Sequence, residues 1–293
     1  MIRQTSLHGT HTALPLVKVG VVALGVWSVV ACLAPPAEPI QGNIAAAIQR
    51  GITEGQATFD HTVWDEILQE FAVQGGKKFD YGELKKVEDK LDGYLRAVAE
   101  VDIASLSGNE LFALFINAYN AYTVKTILNR VSPDGTYQID SIRAIPDVFD
   151  LEDHVVGGYR LSLNNIEHNI LRPFFKDPRV HFAVNCASTS CPPVPVRAFR
   201  GERLEEQLEA VTRNVLSSPD YVRVEGDRLL VTKILDWYGA DFLTPSGYKG
   251  AEDNLPAFIR KYSREDVIRW LDSQPSSLSV KFMSYDWSLN RTS

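Results

Sequence analysis

Residues 111–128 read LFALFINAYNAYTVKTIL, and they are apolar on nearly every face of the helix that their composition predicts. A helix of this kind is normally buried on all sides, so this segment is predicted to form the centre of the core. Asn117 and Asn120 are three positions apart and therefore lie on one face of the helix. Because a buried amide without a partner costs about 1–3 kcal/mol, we expect both in a polar network or in a cleft. A satisfied internal network is favoured over a direct role in catalysis.

The rest of the chain predicts short helices and locally paired strands. Ser105 or Ser107 is expected to cap the central helix. Glycine-containing turns within 155–163 and between 221–224 and 229–231 predict two hairpins. Helical spacing recurs over these ranges: 63–73, 84–98, 164–174, 204–216, 254–262 and 264–271. Short strands are expected at 180–184 and 279–283. The predicted class is α+β: a mainly helical single domain with small antiparallel hairpins.

Composition excludes several classes of protein. The chain has 293 residues, a formal net charge of −7, 45% hydrophobic residues and 23% charged residues. These values are typical of a folded globular protein rather than a disordered or polytopic membrane protein. An acidic chain lacks the positive surface of a general nucleic-acid binder. Three cysteines are too few for a disulfide-dense scaffold or a four-cysteine zinc site.

The N-terminal region predicts export. Residues 19–33, VGVVALGVWSVVACL, form an apolar run of 15 residues, which is shorter than the roughly 20 residues of a membrane span. It fits the hydrophobic region of a signal peptide. The tetrapeptide VVAC at 29–32 resembles a bacterial lipobox, which predicts lipidation of Cys32. Cleavage near Ala34 or Ala37, or an uncleaved signal anchor, is the alternative.

These observations divide the chain into three parts. Residues 1–31 are the expected export signal, and their removal takes away two positive charges and no negative ones. Residues 32–59 contain Pro35, Pro36 and Pro39 and are expected to form an extended tether. Residues 60–293 are expected to fold as a single domain. The expected location is the bacterial cell envelope, facing the periplasm and held at the membrane by the signal or by a lipid.

Residues 161–193, LSLNNIEHNILRPFFKDPRVHFAVNCASTSCPP, concentrate the reactive side chains. The leading interpretation is thiol chemistry, in which Cys186 or Cys191 is activated by His181 or His168. Glu167 or Asn185 would then orient the histidine. A second interpretation is a metal site, although no spacing matches a standard zinc motif. It draws on the thiols and on the following residues: His154, Glu167, His168 and His181. A third is a redox pair, because the two cysteines are five positions apart.

Each of these residues also has a structural interpretation. Cys186 and Cys191 are close enough in sequence to close a disulfide loop. Glu167 follows Asn164 by three positions, which is the spacing of a helix-capping box. His181 on an apolar segment is compatible with a hydrogen-bonded core histidine. For any one residue the structural interpretation is favoured, whereas the cluster as a whole favours a functional site.

Two aromatic segments come later in the chain. They are ILDWYGADF at 234–242 and FMSYDWSLN at 282–290. Asp236 and Asp286 are expected to accept hydrogen bonds while the aromatic rings pack on the body, and Trp287 is a candidate for lining a pocket.

Five ordered motifs resemble the domain-of-unknown-function family numbered 547. They are FINAYNAYTVKTIL, LSLNNIEHNILRP, VHFAVNCASTSCPP, ILDWYGADF and YDWSLN. The resemblance extends over roughly residues 60–290 and implies continuity of fold, but it implies no reaction. Bacterial members are commonly exported. The family pattern carries over to these positions: Asn117, Asn120, Glu167, His168, His181, Asn185, Cys186, Cys191 and Pro192.

The sequence therefore predicts an exported, lipid-anchored α+β protein with a Cys/His site and no cofactor. Cys186 would be the nucleophile of a thiol-dependent hydrolase or acyl transferase, with His181 as base and Glu167 and His168 as orienting groups. The partner would be a substrate or protein of the envelope and not a nucleic acid. The first alternative is a non-catalytic binding or scaffold domain with a Cys186–Cys191 disulfide. The second is a metal-binding protein with His154, His168 and His181 as ligands.

Overall fold

The central helix α5, Gly108–Leu128, forms as its sequence predicts and occupies the middle of the core. It begins at Ser107, whose Oγ accepts a hydrogen bond from the backbone N–H of Glu110 at 3.3 Å. All side chains from Glu110 to Val124 are buried, as an all-apolar helix requires. This computed structural model describes residues 37–275, 278 and 280–292.

Shorter helices surround α5. Helices α1, α3, α4 and α6 and the π-helix each contact α5 directly, and α2 packs on α4. The α-helices other than α5 are α1 Asn43–Glu54, α2 Thr62–Phe71, α3 Tyr81–Lys85, α4 Glu88–Glu100, α6 Leu204–Leu216, α7 Ile234–Trp237, α8 Leu255–Arg260 and α9 Glu265–Asp272. The π-helix is Asn165–Phe175. Turns of 3₁₀-helix are Gln74–Gly76, Ile142–Ala144, Pro178–Phe182, Gly201–Arg203, Gly239–Phe242 and Thr244–Ser246.

The strands form three small sheets. They are β1 Ala72–Val73, β2 Lys78–Phe79, β3 His154–Val156, β4 Tyr159–Leu161, β5 Val222–Glu225, β6 Arg228–Val231 and β7 Val280–Phe282. The pairs β1–β2, β3–β4 and β5–β6 are antiparallel hairpins, whereas β7 joins β6 in parallel. The predicted mainly helical α+β class and the two predicted hairpins are confirmed. The parallel strand β7 brings the C-terminal segment back across the body.

The C-terminal elements have an apolar cluster of their own. Strands β5 and β6 and helices α7, α8 and α9 bury this set of side chains together: Val222, Leu229, Val231, Ile234, Leu235, Phe242, Phe258, Ile259 and Val267. Phe182, which ends the 3₁₀ turn at Pro178–Phe182, also belongs to this cluster. The turn therefore lies where the C-terminal elements meet the segment of residues 161–193.

Two local predictions are corrected by the structure. The predicted strand at 180–184 is instead part of the 3₁₀ turn Pro178–Phe182. Pro178 sets a helical φ at the first position, and the Asp177 carboxylate accepts a hydrogen bond from the Arg179 backbone N–H at 3.1 Å. The predicted helix at 164–174 is present but is wound as the π-helix.

The folded body also begins before residue 60. Helix α1 lies within the expected tether of residues 32–59, and its Ile44 and Ile48 are buried in the main core. These two residues and Gly51 are spaced by four and three positions, which places them on one helical face. The three consecutive alanines of α1 conceal this periodicity. The expected export signal and Cys32 lie outside the described residues.

Within the part of the chain that the structure describes, no helix has both the length and the apolar composition needed to cross a membrane.

Asn120 is expected to contribute strongly to stability. Its amide donates to the carbonyl of Ala183 at 2.9 Å and accepts from the N–H of Asn185 at 2.8 Å. Asn120→Ala leaves both buried backbone groups unpaired and should lower the free energy of unfolding by about 2–4 kcal/mol, measured by urea denaturation. Asn129→Ala, at the exposed end of the same helix, should change it by less than about 0.5 kcal/mol. Equal effects of the two substitutions would contradict the assigned role.

Candidate functional site

Asn185 closes a loop that carries both cysteines of the described chain. Its Nδ2 donates to the carbonyl of Pro192 at 2.7 Å, and its Oδ1 accepts from the N–H of Ala187 at 2.8 Å. Ala187 has a φ of 59°, a left-handed conformation that is uncommon for a residue with a side chain. We call residues 185–192 the cysteine loop. Asn185 thus shapes the loop. The sequence had suggested that it orients a histidine, and its hydrogen bonds go to the loop backbone instead.

The two thiols of the cysteine loop face each other. The Sγ atoms of Cys186 and Cys191 are 3.1 Å apart, and the N–H of Cys186 also donates to Sγ of Cys191 at 3.1 Å. A disulfide bond measures about 2.05 Å, so the sulfurs are in hydrogen-bond contact and both thiols are free. The bridge of the scaffold alternative is therefore not formed in this structure.

The two thiols differ in acidity. The hydrogen bond from Cys191 outweighs burial and lowers the pKa of Cys186 to about 7, with help from Ser188 and Tyr285. Burial raises the pKa of Cys191 well above its ordinary value. Cys186 is half-buried, whereas Cys191 is only 6% exposed. Near neutral pH Cys186 is therefore the thiol that ionises, whereas Cys191 keeps its proton.

The C-terminal segment of residues 283–290 covers one side of the cysteine loop. The N–H of Thr189 donates to the carbonyl of Ser288 at 2.8 Å, and the N–H of Asp286 donates to Oγ of Ser190 at 2.9 Å. The carboxylate of Asp286 accepts from the N–H of Ser288 at 2.9 Å, so this predicted binding residue shapes its own turn.

Three aromatic rings stand beside the cysteine loop. The Tyr285 ring lies 4.6 Å from those of Trp237 and Trp287, and the guanidinium of Arg143 lies 4.9 Å from the Trp287 ring centre. Trp287, predicted as a pocket residue, is thus part of the aromatic packing that holds Tyr285.

His181 lies in a different cluster from the thiols. Its Nε2 is 2.9 Å from Oδ2 of Asp241, and its Nδ1 is 3.4 Å from Oε1 of Glu167. The imidazole stacks on the ring of Tyr238 at 3.8 Å. Both ring nitrogens face carboxylates, and the structure does not bring His181 into hydrogen-bond contact with Cys186.

An arginine completes this second cluster. Arg172 binds Asp241 through Nε at 2.7 Å and Nη2 at 3.0 Å, and its Nη1 lies 3.3 Å from Nδ1 of His168. We call Glu167, His168, Arg172, His181 and Asp241 the ionic cluster. All five side chains are buried.

The charges of the ionic cluster shift the acidity of its members. Burial raises the pKa of Glu167, but the neighbouring His168 and His181 and the Tyr238 hydroxyl outweigh it and lower that pKa to about 2. Burial likewise opposes ionisation of Asp241, yet hydrogen bonds from His181 and Arg172 lower its pKa to about 2. Burial lowers the pKa of His168. Both carboxylates are consequently ionised at neutral pH.

The π-helix brings Glu167 and Arg172 together. Residues five apart are separated by roughly 140° around an α-helix, whereas π-helical bonding joins residue i to i+5. The expected capping box with Asn164 is not formed, because Asn164 makes no side-chain cap. Ser162 and Asn165 cap each other instead, with two hydrogen bonds of 3.0 Å. Glu167 is therefore available to the ionic cluster.

Two tyrosines feel the charges of both the cysteine loop and the ionic cluster. Burial raises the pKa values of Tyr119 and Tyr238, and the charges of Glu167 and Cys186 raise both further. Each phenol is thus near both charged groups. The two clusters are therefore neighbours.

The remaining predicted residues lie elsewhere. The Asn117 amide donates to the carbonyl of Phe199 at 2.8 Å and accepts from the Phe199 N–H at 3.0 Å. Its Nδ2 also lies 3.1 Å from Nδ1 of His61. His154 stacks on Tyr122 at 4.6 Å. Among the described residues, no group of three or more His, Cys, Asp or Glu side chains is arranged to hold a metal ion, so the geometry offers no support for the metal alternative there.

Four polar residues of these clusters were not predicted from sequence. They are Arg172, Tyr238, Asp241 and Tyr285. Each lies in a segment that the sequence had singled out, three of them in the two aromatic segments near the C-terminus. The only feature of the sequence that could have indicated them is the presence of polar side chains among aromatic residues in these segments.

One family model matches the middle of the chain. Residues 103–216 match the model of a family described as "Protein of unknown function, DUF547". The matched segment includes α5, the π-helix, the cysteine loop and α6, whereas the two aromatic segments lie beyond it. No curated protein and no solved structure matches the chain.

The lowered pKa of Glu167 predicts acid-sensitive stability. The contribution of its ionised form is complete above the ordinary pKa of 4.5 and is lost as pH falls toward about 2. Between pH 6 and pH 2 the free energy of unfolding should fall less for Glu167→Gln than for wild type. The difference between the two falls should be about 3 kcal/mol. Glu83→Gln, at an exposed ion pair, should follow the wild-type curve. Parallel curves for wild type and Glu167→Gln would exclude this role.

Proposed function

We propose that this chain, assigned to the DUF547 family by residues 103–216, is a thiol–disulfide exchange protein that acts through its cysteine loop. The observation that carries this proposal is the Sγ–Sγ distance of 3.1 Å between two thiols of unequal acidity and access. A more exposed, acidic thiol beside a buried, protonated one is the arrangement that disulfide exchange needs.

Each thiol has its own part in the reaction. The thiolate of Cys186 attacks one sulfur of a partner disulfide R–S–S–R′, which breaks the partner bond and releases R′S⁻. Cys191 then loses its proton and attacks the Cys186 sulfur of the mixed disulfide, which releases RS⁻ and closes a Cys186–Cys191 bond. The two protons from the cysteines end on the two released thiols, so the dithiol is oxidised and the partner disulfide is reduced.

Hydrolysis or acyl transfer by Cys186 fits the site less well. Such reactions need a general acid to protonate the leaving group, and the predicted base His181 faces Asp241 and Glu167 instead. Disulfide exchange needs no such group, because the leaving thiolate is stable near neutral pH. The partner disulfide is therefore the better-supported substrate.

A location in the envelope is part of the same proposal. The apolar run at 19–33 and the lipobox-like VVAC at 29–32 support export and attachment to a lipid at Cys32. An oxidising compartment supplies protein disulfides as reaction partners. The proposed partner is thus a disulfide-containing protein of the cell envelope.

Exchange with glutathione disulfide tests the proposed reaction. The reduced full-length chain should lose two hydrogen atoms in mass and gain a Cys186–Cys191 bond, as seen by peptide mapping. Cys191→Ser should stop at a glutathione adduct on Cys186, because no second thiol can displace glutathione. Cys186→Ser should form no adduct at Cys191 over the same time, since that thiol is buried and protonated.

Two results would contradict dithiol exchange. One is that both thiols of the wild-type chain stay unmodified. The other is that glutathione adds to Cys191 in Cys186→Ser as fast as it adds to Cys186 in Cys191→Ser. Peptide mapping distinguishes any modification of Cys32 from modification of Cys186 or Cys191.

Lipid attachment is tested independently. In a bacterial host, the wild-type chain should incorporate labelled palmitate and lose residues 1–31, whereas Cys32→Ser should incorporate no label. Cys186→Ser is the matched cysteine control and should label as wild type does. An intact N-terminus on the wild-type chain, read by mass spectrometry, would refute lipoprotein processing.

A further inference from the structure

We propose that Tyr285 is a positioning residue that acts with Ser188 to hold Cys186 in its reactive form, so that the C-terminal segment controls the cysteine loop. This inference rests on the proposed dithiol function and deepens it by naming what regulates the thiol. It is carried by contacts that join residues 99 positions apart in the sequence.

Three polar atoms form a closed triangle. The Tyr285 hydroxyl lies 2.7 Å from Oγ of Ser188 and 3.3 Å from Sγ of Cys186. Oγ of Ser188 lies 3.2 Å from the same sulfur. Together with Sγ of Cys191 at 3.1 Å, the two hydroxyls surround the Cys186 sulfur with three potential hydrogen-bond donors.

Counting hydrogens gives the direction of the bonds. Each hydroxyl has one hydrogen to donate, and a thiolate has none. When Cys186 is ionised its sulfur can only accept, so Tyr285 donates either to the sulfur directly or to Ser188, which then donates to the sulfur. In both arrangements the phenol stabilises the thiolate, because chained donors polarise each other.

The surroundings fix the phenol in place. Trp237 and Trp287 flank its ring at 4.6 Å. Its backbone neighbour Asp286 is held at both ends by Ser190, since the Asp286 N–H donates to Ser190 Oγ and the Asp286 carbonyl accepts from the Ser190 N–H at 3.2 Å. Burial raises the pKa of Tyr285 well above its ordinary value, so the phenol keeps its hydrogen over the range in which Cys186 ionises.

The pH profile of alkylation tests this role. The reduced full-length chain is treated with iodoacetamide, and the rate at Cys186 is followed by peptide mapping from pH 5 to pH 10. Tyr285→Phe removes only the hydroxyl and should move the midpoint upward by about one pH unit. Ser188→Ala should move it in the same direction and serves as a second variant if the first folds poorly.

Tyr221→Phe is the matched control. Its hydroxyl donates to the carbonyl of Cys191 at 2.9 Å, so this variant also loses one bond to the cysteine loop but none to the Cys186 sulfur. Its midpoint should equal that of wild type. An unchanged midpoint in Tyr285→Phe, or an equal shift in Tyr221→Phe, would overturn the positioning role.

The outcomes separate the two proposals. If Tyr285→Phe keeps the wild-type midpoint while the wild-type chain still exchanges with glutathione disulfide, the positioning role is excluded and dithiol exchange stands. If the wild-type chain neither ionises near neutral pH at Cys186 nor exchanges, both proposals fall.

Discussion

The burial of α5 on every side is the constraint on which the rest of the structure depends. Because the middle of this helix is buried, its two asparagine side chains depend on the surrounding loops for their hydrogen bonds. Asn120 meets this need by binding the backbone on both sides of Val184, and Asn117 does the same at Phe199. The core thus positions the start of the cysteine loop. The Asn120 side chain alone thus connects the central helix to the start of the cysteine loop by two hydrogen bonds.

The ionic cluster has a related structural role. Two ionised carboxylates, Arg172 and two histidines are buried together where the π-helix, the turn Pro178–Phe182 and the turn Gly239–Phe242 meet. Charged groups tolerate burial only when they are paired. Each of these three elements must therefore lie where its charged side chain meets an opposite charge on another element. The cluster therefore orients the turn that leads into the cysteine loop, without contacting either sulfur.

Local patterns in the sequence were sufficient for some features and insufficient for others. The buried helix, its Ser107 cap and both predicted hairpins depend on residues close in sequence, and they formed as predicted. The strand expected at 180–184 did not form, because Asp177 and Pro178 start a helical turn more strongly than the four apolar residues of this segment favour a strand. The surroundings of His181 depend on Asp241, 60 positions away, and no spacing rule connects the two. The cysteine pair was visible in sequence, whereas its neighbour Tyr285 was not.

The parallel pairing of β7 with β6 has a consequence for the order of events during synthesis. The chain emerges N-terminus first, so the cysteine loop exists before the segment that returns over it. Until residues 283–290 arrive, Cys186 lacks the phenol that lies 3.3 Å from its sulfur in the finished protein. A newly made thiol would therefore remain comparatively inert while neighbouring unfolded chains are near. Under the proposed positioning role, placing Tyr285 almost a hundred positions later couples the reactivity of Cys186 to the completion of folding.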